Sequence, residues 1–138
     1  MASPRFFCTS ILITTLLLIS ACQSGIGIDP AIKGKDIEYN TAYFLDKGLS
    51  RKIKVQITDG KRTPGGTLEV IAVLRNPTNK PITLEGRAFF YDINKIPSDG
   101  PTIWKKVFIP AHTTETYSAL STRVQAVAYY HIEFRKVR

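Results

Sequence analysis

Short apolar segments with the alternation of β-strands, separated by turn residues, constrain the fold of this 138-residue chain most strongly. In residues 51–58, Ile53, Val55 and Ile57 alternate with polar residues, which is typical of a strand with one solvent-facing side. Further strands are predicted over residues 68–75, 82–93, 102–109, 113–120 and 124–134. Six or seven short strands without a long amphipathic helix predict an all-β fold, an immunoglobulin-like antiparallel β-sandwich.

Three segments leave the prediction less defined. Residues 36–49 fit an edge strand or one helical turn, and we favour a strand followed by a turn at residues 46–48. Residues 68–75 fit a buried strand or, by periodicity alone, a short buried helix, but the asparagines and prolines of residues 76–81 argue against a helical continuation and favour a hairpin loop. In residues 102–109, Trp104 and Phe108 fall on one face and Ile103, Val107 and Ile109 on the other, so we expect one of the two faces to be only partly buried.

The N-terminal segment has the pattern of an export signal. An apolar run from residue 6 ends in Leu-Ile-Ser-Ala-Cys at residues 18–22, which resembles the lipobox of a bacterial lipoprotein precursor. The resemblance implies cleavage of residues 1–21 and acylation of Cys22. The alternatives are an ordinary signal peptide or an uncleaved anchor, but the run is shorter than the roughly 20 apolar residues of a spanning helix and is interrupted by hydroxyl residues.

This pattern divides the chain into three parts. Residues 1–21 form the predicted signal peptide, residues 22–35 a glycine- and proline-containing flexible tether, and residues 36–138 the sandwich domain. The predicted mature chain keeps Cys22 as its only cysteine, so the domain has no disulfide and depends on its core. The full chain has a net charge of +8. For an exported protein this charge favours anionic lipid, lipopolysaccharide or cell-wall polymers over nucleic acid as partners.

Several strand residues also support a family comparison. The segments Leu-Glu-Val-Ile-Ala-Val-Leu-Arg-Asn at 68–76, Lys-Pro at 80–81 and Arg-Ala-Phe-Phe-Tyr-Asp at 87–92 are followed by Trp104, Ile-Pro at 109–110 and Tyr117. Together they resemble the YcfL-like group of small bacterial periplasmic lipoproteins over residues 49–135. The resemblance implies an immunoglobulin-like sandwich on a lipid tether, and it brings no established activity.

The sequence offers no pattern for catalysis, a metal or a cofactor. His112 and His131 lack the spacing and the companion cysteines of a metal site. No serine lies in a nucleophile elbow, and the glycines of the tether do not form a dinucleotide loop. Asp92 and Asp99 flank one loop, where we expect them to cap the backbone rather than act as an acid and base pair. We therefore expect a non-enzymatic protein without a cofactor or a small-molecule substrate.

Two candidate binding surfaces stand out. Four cations on one predicted strand and its following turn form a possible anionic-ligand surface: Lys52, Lys54, Lys61 and Arg62. Solvated lysines on an edge strand are the alternative explanation. Trp104 and Tyr129, with His131 beside Tyr129 on the strand, are candidate protein-contact aromatics, although partial burial against a loop would also explain them.

Two functions fit this pattern. The favoured hypothesis is an interaction module, lipid-anchored on the periplasmic face of the bacterial outer membrane, which docks to another envelope protein through a sheet edge or an aromatic patch. Gln23 after Cys22 agrees with outer-membrane sorting, again by resemblance. The alternative is a binder of anionic lipid, lipopolysaccharide or cell-wall glycan. Under both hypotheses the lipid anchor attaches the protein to the membrane, and nucleic acid is not a partner.

Overall fold

The computed structural model describes residues 38–138. In chain order the elements are β1 (Thr41–Phe44), α1 (Lys47–Ser50), β2 (Lys54–Arg62), β3 (Leu68–Arg75), β4 (Ile82–Tyr91), β5 (Lys105–Ile109), β6 (Thr114–Leu120) and β7 (Tyr129–Lys136). The predicted signal peptide, the tether and Cys22 lie outside the described residues. Within residues 38–138, no helix is long and apolar enough to span a membrane.

The strands form two packed sheets, which confirms the predicted all-β sandwich. One sheet has four strands in the order β1-β7-β4-β5, and the other has three in the order β2-β3-β6. The strand predicted over residues 124–134 corresponds to β7, in which alternate residues Tyr130, Ile132 and Phe134 point into the core. The undecided segment 36–49 contains both predicted features, a strand (β1) and a short helical turn (α1).

The core lies between the sheets and uses side chains from Leu49 to Phe134. At its centre, Tyr117 packs edge-on against Phe134 with ring centroids 5.4 Å apart. Gly86 of β4 lies beside both rings, where a Cβ atom would come within 2.7 Å of Phe134. The described residues, 38–138, all belong to one compact unit, whose bounds are Ala31 and Arg138. Because this unit holds all the strands and the core described above, it has what it needs to fold on its own.

Three local features differ from the sequence predictions. Pairing of β1 with β7 is parallel, so the sandwich is not wholly antiparallel. A bulge at Gln56 shifts the register of β2, and Ile57 consequently faces solvent instead of the core. The predicted hairpin loop at residues 76–81 is wrong, because this segment carries the chain from one sheet to the other.

The buried amide of Asn76 explains that crossover. Its Nδ2 lies 2.8 to 3.1 Å from the carbonyl oxygens of Lys80, Ile109 and Pro110, and its Oδ1 accepts from the backbone N–H of Thr78. One side chain therefore satisfies backbone groups of two connections at the corner of the sandwich.

The strand directions divide the connections between two ends of the sandwich. The β1–β2, β3–β4 and β5–β6 connections and the C-terminus lie at one end. The other end, which we call the N-terminal pole, holds the β2–β3, β4–β5 and β6–β7 connections and residues 38–40. A nine-residue strand such as β2 spans about 30 Å between them.

Candidate functional site

The outer face of the four-stranded sheet carries an ordered row of cross-strand pairs. Residues of β4 and β7 that face away from the core lie directly opposite each other in four pairs: Tyr91–Tyr129, Phe89–His131, Arg87–Glu133 and Glu85–Arg135. We call this set the polar ladder. His131, Glu133 and Tyr91 are 2%, 3% and 5% exposed, which is unusual for charged and polar side chains on a solvent-side face.

The charged pairs of the polar ladder follow from a repeated tripeptide. Glu85-Gly86-Arg87 in β4 and Glu133-Phe134-Arg135 in β7 have the same order of charges. Because the two strands are antiparallel, each glutamate meets the arginine of the other strand. Arg87 Nε donates to Glu133 at 2.8 Å, and Arg135 Nε donates to Glu85 at 3.0 Å. Opposite charges in directly facing positions stabilise a sheet.

A chain of polar contacts connects the aromatic and the charged parts of the ladder. The hydroxyl of Tyr91 lies 3.0 Å from Nδ1 of His131, and Nε2 of His131 lies 3.7 Å from Oε1 of Glu133. The second carboxylate oxygen of Glu133 accepts from Arg87. A proton on Nε2 of His131 directs one N–H toward Glu133 and leaves Nδ1 free to accept from Tyr91. Each buried polar group in this series of contacts, from Tyr91 to Arg87, therefore has a partner.

Trp104 lies over the charged end of the polar ladder. The guanidinium carbons of Arg135 and Arg87 lie 3.8 Å and 4.4 Å from the centroid of its ring. Both distances are within the range of cation–π contacts. We call Arg87, Trp104 and Arg135 the Trp104 clamp. Each of its arginines also forms an ion pair with a glutamate of the ladder, and these two ion pairs fix the positions of the guanidinium groups.

Aromatic rings cover the other end of the polar ladder. Phe89 stacks on His131 with centroids 4.4 Å apart, and Tyr43 of β1 meets the same imidazole edge-on at 5.8 Å. Tyr39 contacts Tyr91 at 5.2 Å and Tyr129 at 5.4 Å. Aromatic side chains of the sheet and its edge thus bury the polar contacts of the ladder.

The surroundings set the ionisation of two ladder groups. Burial raises the pKa of Tyr91 to about 12, so its hydroxyl stays protonated near neutral pH and serves as a hydrogen-bond donor. Burial also opposes ionisation of Glu133, but contacts with His131 and Arg87 outweigh it and lower the pKa of this carboxyl. Near neutral pH the ladder therefore combines a neutral phenol with a charged carboxylate.

Both aromatic residues chosen from the sequence lie on this face. Trp104 is part of the clamp, and Tyr129 faces Tyr91 at the other end of the polar ladder. The rows of Tyr129 and Arg135 are six residues apart along β7, which corresponds to about 20 Å. The structure thus places Trp104 and Tyr129 on one surface but not in one cluster.

The four cations chosen from the sequence do not form one surface. Lys52 and Lys54 lie where β2 begins, and Lys61 and Arg62 lie where it ends, about 23 Å from Lys54. This distance is more than twice the screening length at physiological salt. The guanidinium of Arg62 is also less available to an anionic ligand, because it donates to the carbonyl oxygens of Gly66 and Val127. The predicted grouping is wrong because a nine-residue strand separates its members.

Other predicted site features have local roles. Asp92 accepts from the backbone N–H groups of Asn94 and Ile96, which confirms its prediction as a cap of its own loop. Asp99 instead accepts from the backbone N–H of Thr122 in the β6–β7 connection. His112 lies in the β5–β6 turn with a positive φ of 59°. In the described part of the chain, no group of three or more His, Cys, Asp and Glu side chains could hold a metal ion.

Sequence reasoning missed the arginines and glutamates of the polar ladder. The signal was present, since Glu-x-Arg occurs once within a predicted strand, at residues 85–87, and once at the end of another, at residues 133–135. Its meaning depends on the pairing of those strands, which are more than 40 residues apart in sequence. His131, which the sequence places beside Tyr129 without the pattern of a metal site, lies buried between Phe89 and Tyr91.

Comparisons with known proteins bear on the fold. No protein-family model and no curated protein matches this chain. The fold is similar to the crystal structure of Campylobacter jejuni cj0090, with a TM-score of 0.55 and 16% identity, over 71% of this chain and 99% of that one. It is also similar to a DUF1425 family member from Shewanella sp. pv-4, with a TM-score of 0.54 and 18% identity, over 62% and 79%. At these identities the likeness shows a shared fold alone.

Proposed function

We propose that this protein is a non-enzymatic interaction module of the bacterial cell envelope that docks to another envelope protein through the outer face of its four-stranded sheet. The observation that carries the proposal is the Trp104 clamp. A tryptophan in cation–π contact with two arginines, each paired with a buried or nearly buried glutamate, forms an ordered surface that suits recognition of a partner.

The residue types at this face support protein recognition. Tryptophan, tyrosine and arginine are the side chains that most often dominate the energy of protein–protein interfaces. Arg87 and Arg135 have side-chain exposures of 18% and 21%, so each guanidinium is mostly fixed yet still reachable. Ordering such long side chains on binding normally costs about 0.5 to 1.5 kcal/mol each. The ion pairs of the polar ladder reduce this cost before a partner arrives.

Exposed side chains at the margin extend the surface. Phe108 of β5 is 58% exposed and faces outward opposite Thr83. Lys106 lies opposite Glu85 on the same face, and Ile103, beside Trp104 in sequence, is 87% exposed. Exposed apolar side chains next to an aromatic centre are typical of a protein-contact surface.

The cellular setting is part of the proposal and comes from the sequence. The lipobox-like segment supports acylation of Cys22 and attachment to the periplasmic face of the outer membrane. Among small envelope lipoproteins, the YcfL-like group is the one that the strand residues resemble. A tethered domain would meet its partner at a high effective concentration, so a contact of modest affinity would be sufficient.

Site-specific photo-crosslinking in intact cells tests the docking face. A photoreactive residue is placed at Lys106 or Phe108 on the proposed face, and at Thr116 or Ser118 on the outer face of the other sheet as controls. We expect one discrete protein adduct from the first two positions and none from the controls. Adducts of equal yield from both faces, or from the control face alone, would contradict the proposal.

A further inference from the structure

Lysine and arginine side chains concentrate at the end of the sandwich opposite the N-terminal pole. Residues 45–54, 75–82, 109–114 and 136–138 form this end, which we call the basic pole. It carries eight exposed cations: Lys47, Arg51, Lys52, Lys54, Arg75, Lys80, Lys136 and Arg138. Asp46 is the only acidic side chain in these four segments. Its carboxylate already accepts from the backbone N–H of Lys136.

The N-terminal pole has no such excess. In residues 38–40, 59–69, 91–101 and 121–129, the cations are Lys61, Arg62, Lys95 and Arg123. The acidic residues of the same segments are Glu38, Asp59, Glu69, Asp92 and Asp99. The excess of positive charge is therefore concentrated at one end of the sandwich. The basic pole should produce a local positive potential that the opposite end lacks.

Contacts between the segments show that these cations share one surface. Lys54 lies opposite Arg75 at the end of the β2–β3 pair. Lys136 lies beside α1, with its Nζ 3.6 Å from the position that a Cβ of Gly48 would occupy. The carbonyl of Lys80 is bonded to Asn76, the residue that follows Arg75. Segments far apart in sequence thus converge at one end of the sandwich.

None of the eight cations is neutralised by a neighbour in residues 38–138. The salt bridges of this region involve Arg87, Arg123, His131 and Arg135, which belong to other parts of the domain. Exposed like charges repel one another and lower the stability of the folded state. An arrangement that keeps eight cations together without acidic partners is explained if an external anion compensates them.

We propose that the basic pole binds a bilayer surface that carries anionic phosphate headgroups. The cations come from four chain segments and cover one end of the sandwich, which fits a planar array of charges better than a single small ligand. Five of the eight are lysines, which act as mobile point charges and need no fixed geometry from the anion. Clusters of four to eight such residues are typical of anionic-lipid binding.

Two exposed apolar side chains favour a lipid surface over a soluble polyanion. Leu45 and Val137 are 41% and 37% exposed, and each lies within two residues of a cation of the basic pole, Lys47 or Lys136. Apolar side chains flanked by lysines can enter the headgroup region while the ammonium groups meet phosphates. A protein partner would instead favour tyrosine or tryptophan, and the four segments contain neither.

The predicted lipid anchor is compatible with this contact. Sixteen residues lead from Cys22 to Glu38, and an extended chain of that length reaches about 50 Å. This exceeds the roughly 30 Å between the two ends of the sandwich. The basic pole can therefore reach the bilayer that holds the anchor, and the Trp104 clamp on the side of the domain stays free for a protein.

Vesicle flotation with the Ala31–Arg138 unit tests the proposal without a lipid anchor. The probes are vesicles of phosphatidylcholine alone and vesicles with about 30% phosphatidylglycerol, at salt from about 0.05 to 0.5 M. We expect flotation only with the anionic vesicles and a steep loss as salt rises. Failure to float with anionic vesicles at low salt would overturn the proposal.

A matched pair of variants locates the binding surface. The pole variant combines Lys52→Gln, Lys54→Gln, Arg75→Gln and Lys136→Gln, and its control combines Lys61→Gln, Lys95→Gln, Lys105→Gln and Lys106→Gln. Both lose four positive charges, so net charge alone cannot separate them. We expect the pole variant to float at least about tenfold less than the control, with comparable melting temperatures. Equal losses in both variants would overturn the basic pole as the site.

Two further outcomes are informative. If the pole variant melts lower, the smaller pair Lys52→Gln with Lys80→Gln replaces it, and an unchanged flotation of that pair would count against the proposal. Binding of the unit to purified cell-wall sacculi but not to anionic vesicles would overturn a lipid surface in favour of a glycan. Crosslinking from position 106 tests protein docking separately, because the pole variant leaves the Trp104 clamp intact.

Discussion

Glu133 and Arg87 form a 2.8 Å ion pair on the solvent side of a sheet, yet the carboxylate is almost completely buried. The pair links the aromatic end of the polar ladder, through His131, to the Trp104 clamp. An ion pair in this position does more than contribute to a surface charge pattern. It fixes the orientation of the guanidinium on which Trp104 lies, and it therefore connects the stability of the sheet with the shape of the proposed docking face.

Glu133→Gln should destabilise the domain and change its response to acid. At neutral pH, loss of the carboxylate leaves Arg87 without its partner, and we expect a loss of about 1 to 3 kcal/mol in the free energy of unfolding. The pKa of Glu133 is lowered in the folded state, so its contribution is full above the ordinary value of 4.5 and is lost as pH falls through the folded pKa. Urea titrations at neutral and acidic pH measure both effects.

The control for this prediction is Glu115→Gln on the exposed start of β6. Glu115 is exposed and has no salt bridge in the described residues, so its replacement should change stability by less than about 0.5 kcal/mol. A Glu133→Gln domain with the stability and the acid response of this control would show that the buried pair does not act as described.

Tyr91→Phe should change how the free energy of unfolding depends on pH in the alkaline range. The pKa of Tyr91 is raised from 10.0 to about 12, so folding favours the protonated phenol. Stability from this group is full below pH 10 and declines as pH rises toward 12. Tyr43, Tyr117 and Tyr130 also have raised pKa values, so only the difference between the wild type and Tyr91→Phe isolates this group. Parallel stability curves from pH 9 to 12 would refute the prediction.

Gly86→Ala should cost about 1 to 3 kcal/mol, because the added methyl group overlaps the two rings at the centre of the core. Its Cβ would lie 2.7 Å from Phe134 and 2.8 Å from Tyr117. Gly100→Ala is the matched control, since nothing lies within 4 Å of its Cβ position. Thermal or urea unfolding of the two variants compares them directly. Similar stabilities would mean that the sheets are not packed this closely at Gly86.

Cys22→Ser should abolish lipid attachment and leave a precursor that is not processed to the normal mature form. The lipobox-like residues 18–22 motivate this prediction. Labelling of cells with radioactive fatty acid, followed by isolation of the protein, gives the readout. Label that still enters the Cys22→Ser protein, or label that never enters the wild type, would contradict acylation at this residue.

The sequence predicted the strands best where the spacing of apolar residues matches the spacing of buried residues in the structure. A continuous apolar run at residues 70–74 predicted β3, whose buried side from Leu68 to Leu74 has the period of two that a sandwich strand requires. Alternation predicted the strand at residues 51–58. It failed at Ile57, because a single inserted residue at Gln56 reverses the faces of a strand and leaves little trace in composition. The crossover at residues 76–81 was taken for a hairpin because turn residues mark a bend, not the sheet that the chain enters next.

The candidate site was partly predictable for a similar reason. Trp104 and Tyr129 were recognised as aromatic residues that the core does not need, and the structure places both on one outer face. The partners of Trp104 depend on strand pairing across 17 and 31 residues of sequence. The basic pole could not be predicted from the sequence pattern, because its cations come from four separate segments that only the folded chain brings together.

Crosslinking at position 106 in cells that carry a clamp variant tests the docking proposal most directly. With the photoreactive residue at Lys106, we expect Trp104→Ala to reduce the protein adduct by at least about fivefold, because an ordered tryptophan is the expected energetic centre of the contact. Leu120→Ala, an exposed position on the opposite sheet, should leave the adduct unchanged at the same protein level. An undiminished adduct from a folded Trp104→Ala protein would contradict the account.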